Sequence, residues 1–289
     1  MLGSPSPLRR TLSDAVRGTL SRAGFRVMRI DRAIVDLREH TSDPLEAAYR
    51  AGAREYLIDV PLSNVRMLQA AAFRVVGEHR NPFIDTLLSY AAGRVSGYAA
   101  SPLEQFYQDF RPRTAAEVLG LDAGHALANA PPIAFVFPWS GQSPRDAENH
   151  WRVMIEKDNL EHGLRAPVSQ GWKGWGPVHS NVGELEYRRL TTLFDAMRAD
   201  GYTRNSLDDG DIRGTVLWRD GEFCVSILSG HHRIAALGAL GAKSVPIRLA
   251  GVQIRGDDVQ SWPNVRSGLF GAEDATNLFE RIFEGRQPF

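Results

Sequence analysis

The chain of 289 residues contains one cysteine, Cys224, so no disulfide can form within it. It also has no net charge, because 34 lysines and arginines balance 34 aspartates and glutamates, whereas dedicated nucleic-acid binders usually carry a basic surplus. No apolar run approaches the roughly 18 residues of a membrane-spanning helix, and the N-terminus lacks the apolar core of a secretory signal. These absences favour a reducing, cytoplasmic location and argue against nucleic acid as the main partner.

The composition is that of a globular protein, with 43% hydrophobic and 24% charged residues. The length is sufficient for one large domain or two small ones. Helical and strand patterns predict an α+β protein with four parts. These are a basic amphipathic arm at 1–40, a mainly helical region at 41–130, a mixed domain at 131–250 and a tail at 251–289 that packs on the domain.

The arm carries seven arginines between residues 9 and 32, opposed only by Asp14 and Asp31. Apolar residues recur at helical spacing from Leu8 to Leu20, which predicts a short amphipathic helix. Two interpretations remain open. The helix lies on an anionic surface, such as the inner face of a membrane, or it packs on the protein with a solvated basic face.

Further along the chain, composition predicts helices at 43–56, 64–78, 83–92, 146–160, 181–198 and 272–283. Ser101 and Thr114 are predicted to begin two more helices, since Ser101-Pro102 followed by Glu104 is a typical start. Strands are predicted at 56–62, 133–139, 212–218, 223–228 and 244–249. The turn at 219–221 joins two of these strands into a hairpin.

The most informative segment follows the strand at 223–228. Ser229 and Gly230 form a tight turn, and apolar residues after Arg233 predict a helix. A helix that begins at a glycine offers free N–H groups and a positive dipole end, and His231, His232 and Arg233 add side-chain donors. This pattern predicts a phosphate site. The alternative is an ordinary strand-to-helix connection with polar surface residues.

Two other features bear on this site. Trp172 and Trp175 lie in a glycine-rich loop, where they either form a lid or stacking surface over a ligand or tuck into a neighbouring core. Adjacent histidines rarely direct both rings at one metal, so His231 and His232 do not predict a zinc site, and no protein-bound metal is predicted.

The order of elements in residues 184–250 resembles the ParB/sulfiredoxin-like superfamily, that is, the ParB N-terminal-like domain. The resemblance rests on a helix, Gly201-Tyr202, the hairpin with Arg219-Asp220-Gly221, Gly230-His231-His232-Arg233, an alanine-rich helix and a Val245-Pro246-Ile247 strand. It implies a mixed sheet with helices, and it covers well under half of the chain.

The resemblance also implies site residues. In the superfamily the segment matching Ser229–Arg233 binds nucleotide phosphates, and the form found here is closest to the free serine kinase-like branch. That branch implies ATP or another nucleotide, Mg²⁺, and a catalytic glutamate just ahead of the helix that precedes the hairpin, which corresponds to Glu184 or Glu186. The sulfiredoxin cysteine is replaced by His231, and Ser229 stands where the serine kinases have aspartate.

Three functions follow as hypotheses. The first is a phosphotransferase that moves a phosphoryl group from a nucleoside triphosphate or diphosphate to a small hydroxyl compound. The second is a ParB-like nucleotide-gated DNA-binding or nuclease module. The third is a non-catalytic nucleotide-binding partner in a surface-polysaccharide pathway, with peripheral membrane contact through residues 9–32.

Overall fold

The computed structural model describes residues 34–52, 54–77, 81–204 and 210–289. The predicted basic helix within residues 9–32 therefore lies outside the described residues. In the described part of the chain, no helix has both the length and the apolar character needed to cross a membrane.

A mixed sheet runs through the described residues. Its strands, in chain order, are β1 (Val35–Asp36), β2 (Tyr56–Pro61), β3 (Val65–Met67), β4 (Phe73–Arg74), β5 (Arg213–Arg219), β6 (Glu222–Ser229), β7 (Ser244–Leu249) and β8 (Ile254–Arg255). They lie in the order β1-β2-β7-β5-β6-β3-β4, and β8 pairs with β5. Antiparallel pairs (β2 with β7, β3 with β4, β5 with β6) alternate with parallel ones. A mixed sheet combined with helices confirms the α+β prediction at that level.

Five of the nine described helices begin at a short polar side chain that caps them. They are α1 (Pro44–Ala51), α2 (Pro82–Ala91), α3 (Pro102–Asp109), α4 (Ala115–Leu119), α5 (Pro144–Glu161), α6 (Ser180–Asp200), α7 (His231–Ala239), α8 (Pro263–Arg266) and α9 (Ala272–Glu284). Asp43, Asn81, Ser101, Thr114 and Ser143 each accept a hydrogen bond from the first turn of the helix that follows. The two starts predicted at Ser101 and Thr114 are therefore confirmed.

The helix predicted at 64–78 is wrong. This segment instead forms β3, a 3₁₀ turn at Gln69–Ala71 and β4. Val65 pairs in parallel with Val225 of β6, and Leu68, Gln69 and Ala72 adopt left-handed backbone conformations that no α-helix contains. The intrinsic helix preference of alanine, leucine and methionine is overridden by strand pairing.

The strand predicted at 133–139 is also wrong. The structure has one 3₁₀ turn at Pro132–Ala134 and no strand through residue 139. Prolines at 131, 132 and 138 remove the N–H groups that a ladder requires. The segment is buried by aromatic packing, with the Phe135 ring 5.8 Å from the Trp151 ring.

The predicted division near residue 130 also differs from the structure. Residues Ile34–Phe289 form one compact unit, and β2 from the region predicted as mainly helical pairs with β7 over six residues. The predicted tail does pack on this unit. Its helix α9 buries Ala275, Leu278, Phe279, Ile282 and Phe283, the five positions expected from its apolar stripe.

Side chains from β3 and α9 tie the tail to the sheet. The Arg66 guanidinium donates to the carbonyl of Phe283 at 2.9 Å, and the Arg281 guanidinium donates to the carbonyl of Ala70 at 2.9 Å. Both arginines are more than nine-tenths buried, so these hydrogen bonds satisfy donors that water cannot reach. As a result, α9 holds the turn after β3 in place.

Candidate functional site

The hairpin and the helix after it form as the sequence predicts. Asp220 and Gly221 turn with φ of 49° and 81°, which gives the tight connection between β5 and β6. Gly230 then turns the chain with φ of 92° and begins α7. A Cβ at Gly230 would lie 2.9 Å from Cγ1 of Ile212, so both the backbone angle and the close packing favour glycine.

The N-terminus of α7 opens into a cleft of about 870 Å³. The other walls are one face of α5, one face of α6 and the loop that carries Trp172. The cleft contains all five residues of the predicted phosphate site, Ser229 to Arg233. Gly230 is the N-cap residue of α7 and has no side chain that could accept from the first N–H groups of the helix. The anion-binding end of this helix therefore faces the cleft uncapped.

The charged lining of the cleft is strongly unequal, although the whole chain is neutral. Among the described residues, four cationic side chains line it, from Lys173, Arg188, Arg189 and Arg233, against the single carboxylate of Asp158. Arg188 is exposed and forms no ion pair with any described residue. The remaining lining is largely apolar and comprises Trp151, Met154, Ile155, Trp172, Leu185, Leu193, Ala196 and Leu228.

His231 is buried at the base of the cleft. It is 5% exposed, and its Nδ1 accepts a hydrogen bond from the N–H of Leu68 at 3.3 Å. Burial lowers the pKa of His231 well below its usual range, so the ring is neutral at pH 7. With Nδ1 as acceptor, the proton of the neutral ring lies on Nε2, an assignment that follows from this hydrogen bond.

His232 takes a different direction. Its ring stacks on Phe83 with centroids 5.4 Å apart, and its Nε2 lies 2.8 Å from Oε2 of Glu186. Burial lowers the pKa of His232, although the neighbouring Glu186 carboxylate opposes this effect. The two adjacent histidines thus point to different partners, as expected from the argument against a zinc pair.

The structure separates the two candidate glutamates. Both lie inside α6, which begins at Ser180. Glu184 is exposed and does not line the cleft. Glu186 is 2% exposed, with Oε1 at 2.7 Å from the Arg189 guanidinium and Oε2 on His232. Neither carboxylate is open to a substrate in the cleft.

Glu186 nevertheless shapes the electrostatics beside the cleft. Burial alone would raise its pKa, but His232, Arg189 and Lys173 together lower it to about 2, so it is ionised at pH 7. The same Arg189 donates to both oxygens of Asp158 at 2.9 and 3.2 Å. Glu186 therefore orients Arg189 and His232, and Asp158 is the carboxylate that reaches the cleft.

Arg233 lines the cleft but is already engaged. Its guanidinium donates to the carbonyl of Gly210 and, at 3.4 Å, to the carbonyl of Asp211. Asp211 is 2% exposed and is held in turn by Arg204 at 2.7 Å. Arg233 thus anchors the segment that leads into β5 as well as adding positive charge beside Gly230.

Of the two loop tryptophans, only Trp172 lines the large cleft. Its ring lies 4.9 Å from that of Trp151 and 5.0 Å from that of Trp175. Trp175 packs edge-on against Phe135 at 5.7 Å, with its ring directed to the core. Both rings therefore pack against the core, and Trp172 also lines the cleft.

Sequence reasoning missed several residues of the cleft, namely Gln69, Asp158, Lys173, Arg188 and Arg189. A signal for Asp158 was present, because Trp151, Ile155, Asp158 and His162 follow one face of a helix at spacings of three and four residues. The contributions of Gln69 and Lys173 depend on chain segments that meet only in the folded protein.

The described residues contain no group of three or more histidine, cysteine, aspartate or glutamate side chains that could hold a metal ion. Within the part of the chain that the structure describes, Asp158 is the only carboxylate in the cleft lining, and it is paired with Arg189.

No protein-family model, no curated protein and no solved structure matches this chain. The resemblance to the ParB/sulfiredoxin-like superfamily therefore stays a prediction from the sequence motif.

Proposed function

We propose that the protein is a nucleotide-dependent phosphotransferase that moves a phosphoryl group to a small hydroxyl compound in this cleft. One observation carries the proposal: in a chain with no net charge, four cationic side chains and one carboxylate, counted among the described residues, line the cleft into which the uncapped N-terminus of α7 opens. Such a surplus attracts a polyanion such as a nucleotide, because charges in a partly enclosed cleft are less screened by water.

The phosphates of the nucleotide are assigned to the segment from Ser229 to Arg233. Backbone N–H groups at the start of α7 and the positive end of its dipole favour an anion there. Arg188 and Lys173 supply charge that is not fully used, since Arg188 has no ion pair among the described residues and Lys173 lies 3.8 Å from Asp158. The superfamily resemblance assigns the phosphates to the same segment.

The base of the nucleotide is assigned to the apolar wall. Met154 and Leu228 are 44% and 52% exposed, and both line the cleft together with Leu193. Covering these side chains with a flat base would remove apolar area from water, at about 25 cal/mol per Å². The cleft thus offers both charged and apolar side chains, as a nucleotide requires.

Asp158 is assigned the role of proton acceptor, which the superfamily resemblance implied for Glu184 or Glu186. In phosphoryl transfer the bond from phosphorus to the leaving oxygen breaks, a bond to the acceptor oxygen forms, and the hydroxyl proton must leave. Burial alone would raise the pKa of Asp158, but Lys173 and Arg189 lower it, so the carboxylate is ionised and able to accept that proton. Magnesium is proposed only as a counter-ion that accompanies the nucleotide.

Two features bear on the alternatives. Cys224 is 1% exposed, and burial raises the pKa of its thiol to about 12, which opposes thiolate chemistry. After β7, the helix α8 has only four residues, which is short for a DNA-reading helix-turn-helix. Neither observation favours a redox or a DNA-clamping function.

The test is transfer of labelled γ-phosphate from ATP, in magnesium buffer, to a panel of small hydroxyl compounds. We expect the wild-type protein to label at least one acceptor. Asp158→Asn keeps the size of the side chain but removes the proton acceptor, so the transfer rate should fall by about 10²–10⁴-fold while ATP still binds. Equal rates for the variant and the wild type would contradict the role of Asp158, and absence of transfer to every acceptor would contradict the proposed activity.

A further inference from the structure

A tight turn presents Lys173 to the cleft. Trp172 and Trp175 pair as an antiparallel bridge, so Lys173 occupies one of the two central positions between them. The hydroxyl of Tyr107, a residue of α3 that is 2% exposed, donates to the carbonyl of Lys173 at 3.3 Å. A Cβ at Gly174 would lie 2.7 Å from the ring of Trp172, so the turn is also closely packed. The backbone that carries Lys173 is therefore anchored to the core.

The ammonium group of Lys173 has unused hydrogen-bonding capacity. The side chain is 20% exposed, and its Nζ lies 3.8 Å from Oδ2 of Asp158, which is longer than a hydrogen bond. The three N–H donors of this ammonium form no hydrogen bond with any described residue. Charged groups that are largely withdrawn from water are normally hydrogen-bonded, so a ligand in the cleft is expected to supply the acceptor.

The other cationic side chains of the cleft differ from Lys173. Arg189 is shared between two carboxylates, and Arg233 donates to two backbone carbonyls. Arg188 is exposed, and no ion pair joins it to Asp158 among the described residues. Within the part of the chain that the structure describes, Lys173 is thus the cation beside Asp158 whose donors remain available.

Lys173 also lies beside the start of α7. Lys173 and His231 line the cleft together, and both line an adjoining smaller recess. Burial and, next, the Lys173 ammonium lower the pKa of His231, so this ammonium lies near the first residue of α7. In phosphoryl transfer the acceptor oxygen approaches the phosphorus to about 3–3.5 Å. The transferred group must therefore lie between the phosphate site at α7 and the proton acceptor Asp158, and Lys173 borders both.

We propose that Lys173 is a catalytic residue that holds the terminal phosphate of a nucleoside triphosphate beside Asp158. This inference rests on the proposed function, in which Asp158 accepts the proton of the acceptor hydroxyl. The other two phosphates remain at the start of α7. The bond from the terminal phosphorus to its bridging oxygen breaks, the bond to the acceptor oxygen forms, and the nucleoside diphosphate leaves. The ammonium of Lys173 stabilises the negative charge on the transferred oxygens.

The test compares ATP with ADP, which lacks the terminal phosphate, by titration calorimetry of the full chain in magnesium buffer. The wild type should bind ATP about tenfold or more tightly than ADP, because a charge-assisted contact is lost with ADP. Lys173→Met keeps the length of the side chain without its charge, and should remove about tenfold of this preference while the affinity for ADP is unchanged. Lys173→Arg keeps the charge and should retain most of the preference.

Arg188→Gln is the matched control, because it removes another cation from the cleft. It should weaken the binding of ATP and ADP alike and leave the preference unchanged. An equal loss of ATP and ADP affinity in Lys173→Met would show that Lys173 adds only general positive charge, and this result would overturn the proposal. Retention of the preference in Lys173→Arg separates the loss of charge from a disturbed turn.

Turnover provides a second readout. With an acceptor that the wild type phosphorylates, Lys173→Met should lower kcat by about 10²-fold, with less than a twofold change in the KM of the acceptor. A rise in the acceptor KM at constant kcat would place Lys173 at the acceptor and contradict its contact with the terminal phosphate.

The two proposals fail separately, because the binding preference requires no turnover. Equal affinities of the wild type for ATP and ADP, or an unchanged preference in Lys173→Met, would overturn the role of Lys173 even if the protein transfers phosphate. The expected loss of preference in Lys173→Met, without transfer to any acceptor, would overturn only the phosphotransferase function.

Discussion

Replacing Glu186 by glutamine tests the buried charge network beside the cleft. Glu186 is 2% exposed, and its two oxygens contact Arg189 at 2.7 Å and His232 at 2.8 Å. The pKa of Glu186 is lowered from 4.5 to about 2, which corresponds to about 3 kcal/mol of stabilisation of the folded protein by the ionised carboxylate. Glutamine keeps one acceptor oxygen, and Asp158 still pairs with Arg189, so we expect Glu186→Gln to lower the free energy of unfolding by about 2–3 kcal/mol at pH 7.

The assay is urea unfolding followed by tryptophan fluorescence. Because the pKa of Glu186 is lower in the folded than in the unfolded state, its stabilisation is complete above about pH 5 and is lost as the pH falls toward 2. The difference between the wild type and the variant should therefore shrink by roughly half at pH 3. Glu184→Gln is the matched control, since Glu184 is exposed on the same helix and should change stability by less than about 0.5 kcal/mol. Equal losses of unfolding free energy in Glu186→Gln and Glu184→Gln would show that the buried contacts of Glu186 do not stabilise the protein.

Two further substitutions test the packing of α6 and the charge of the cleft. Gly183→Ala should lower the free energy of unfolding by about 1–3 kcal/mol, because a Cβ there would overlap the ring of Tyr98. Gly124→Ala, which meets open space, is the control, and equal stabilities in urea unfolding would contradict this packing. Arg188→Gln should weaken ATP binding by about fivefold or more in titration calorimetry, since it removes from the cleft a cation that has no ion pair among the described residues. Arg198→Gln lies on the same helix but outside the cleft, and an equal loss in that variant would count against a local phosphate site.

The elements that sequence reasoning placed well are those whose local signals agree with their tertiary surroundings. The β5–β6 hairpin has a turn that glycine favours, and α7 follows Gly230 directly. The strand β7 has the predicted limits, because its apolar residues are buried in the centre of the sheet. In these segments propensity, pattern and burial all favour the same structure.

The errors arose where long-range contacts decide the structure. The segment after Asn64 contains good helix formers, but its pairing with β6 and the hydrogen bond from Arg281 fix it as a strand and a strained turn. Neither contact is visible in the local sequence. The strand expected at 133–139 failed for another reason, since its apolar residues are buried by side-chain packing while its prolines prevent ladder pairing.

The candidate site was predictable in part. The motif from Ser229 to Arg233 lies at the cleft as expected, because a turn and a helix start are local features. The choice between Glu184 and Glu186 depends on how deeply each side chain is buried, which the sequence alone does not reveal. Asp158 and Gln69 reach the cleft from α5 and from the turn after β3, so their presence there depends on how distant elements pack together.

Nucleotide binding in this cleft is tested most directly by titration calorimetry of the full chain with ATP, CTP, ADP and GTP in magnesium buffer. We expect saturable binding of at least one of these nucleotides with a stoichiometry near one. Added salt should weaken this binding because cationic side chains hold the phosphates. Absence of binding for all four nucleotides would contradict nucleotide binding in this cleft.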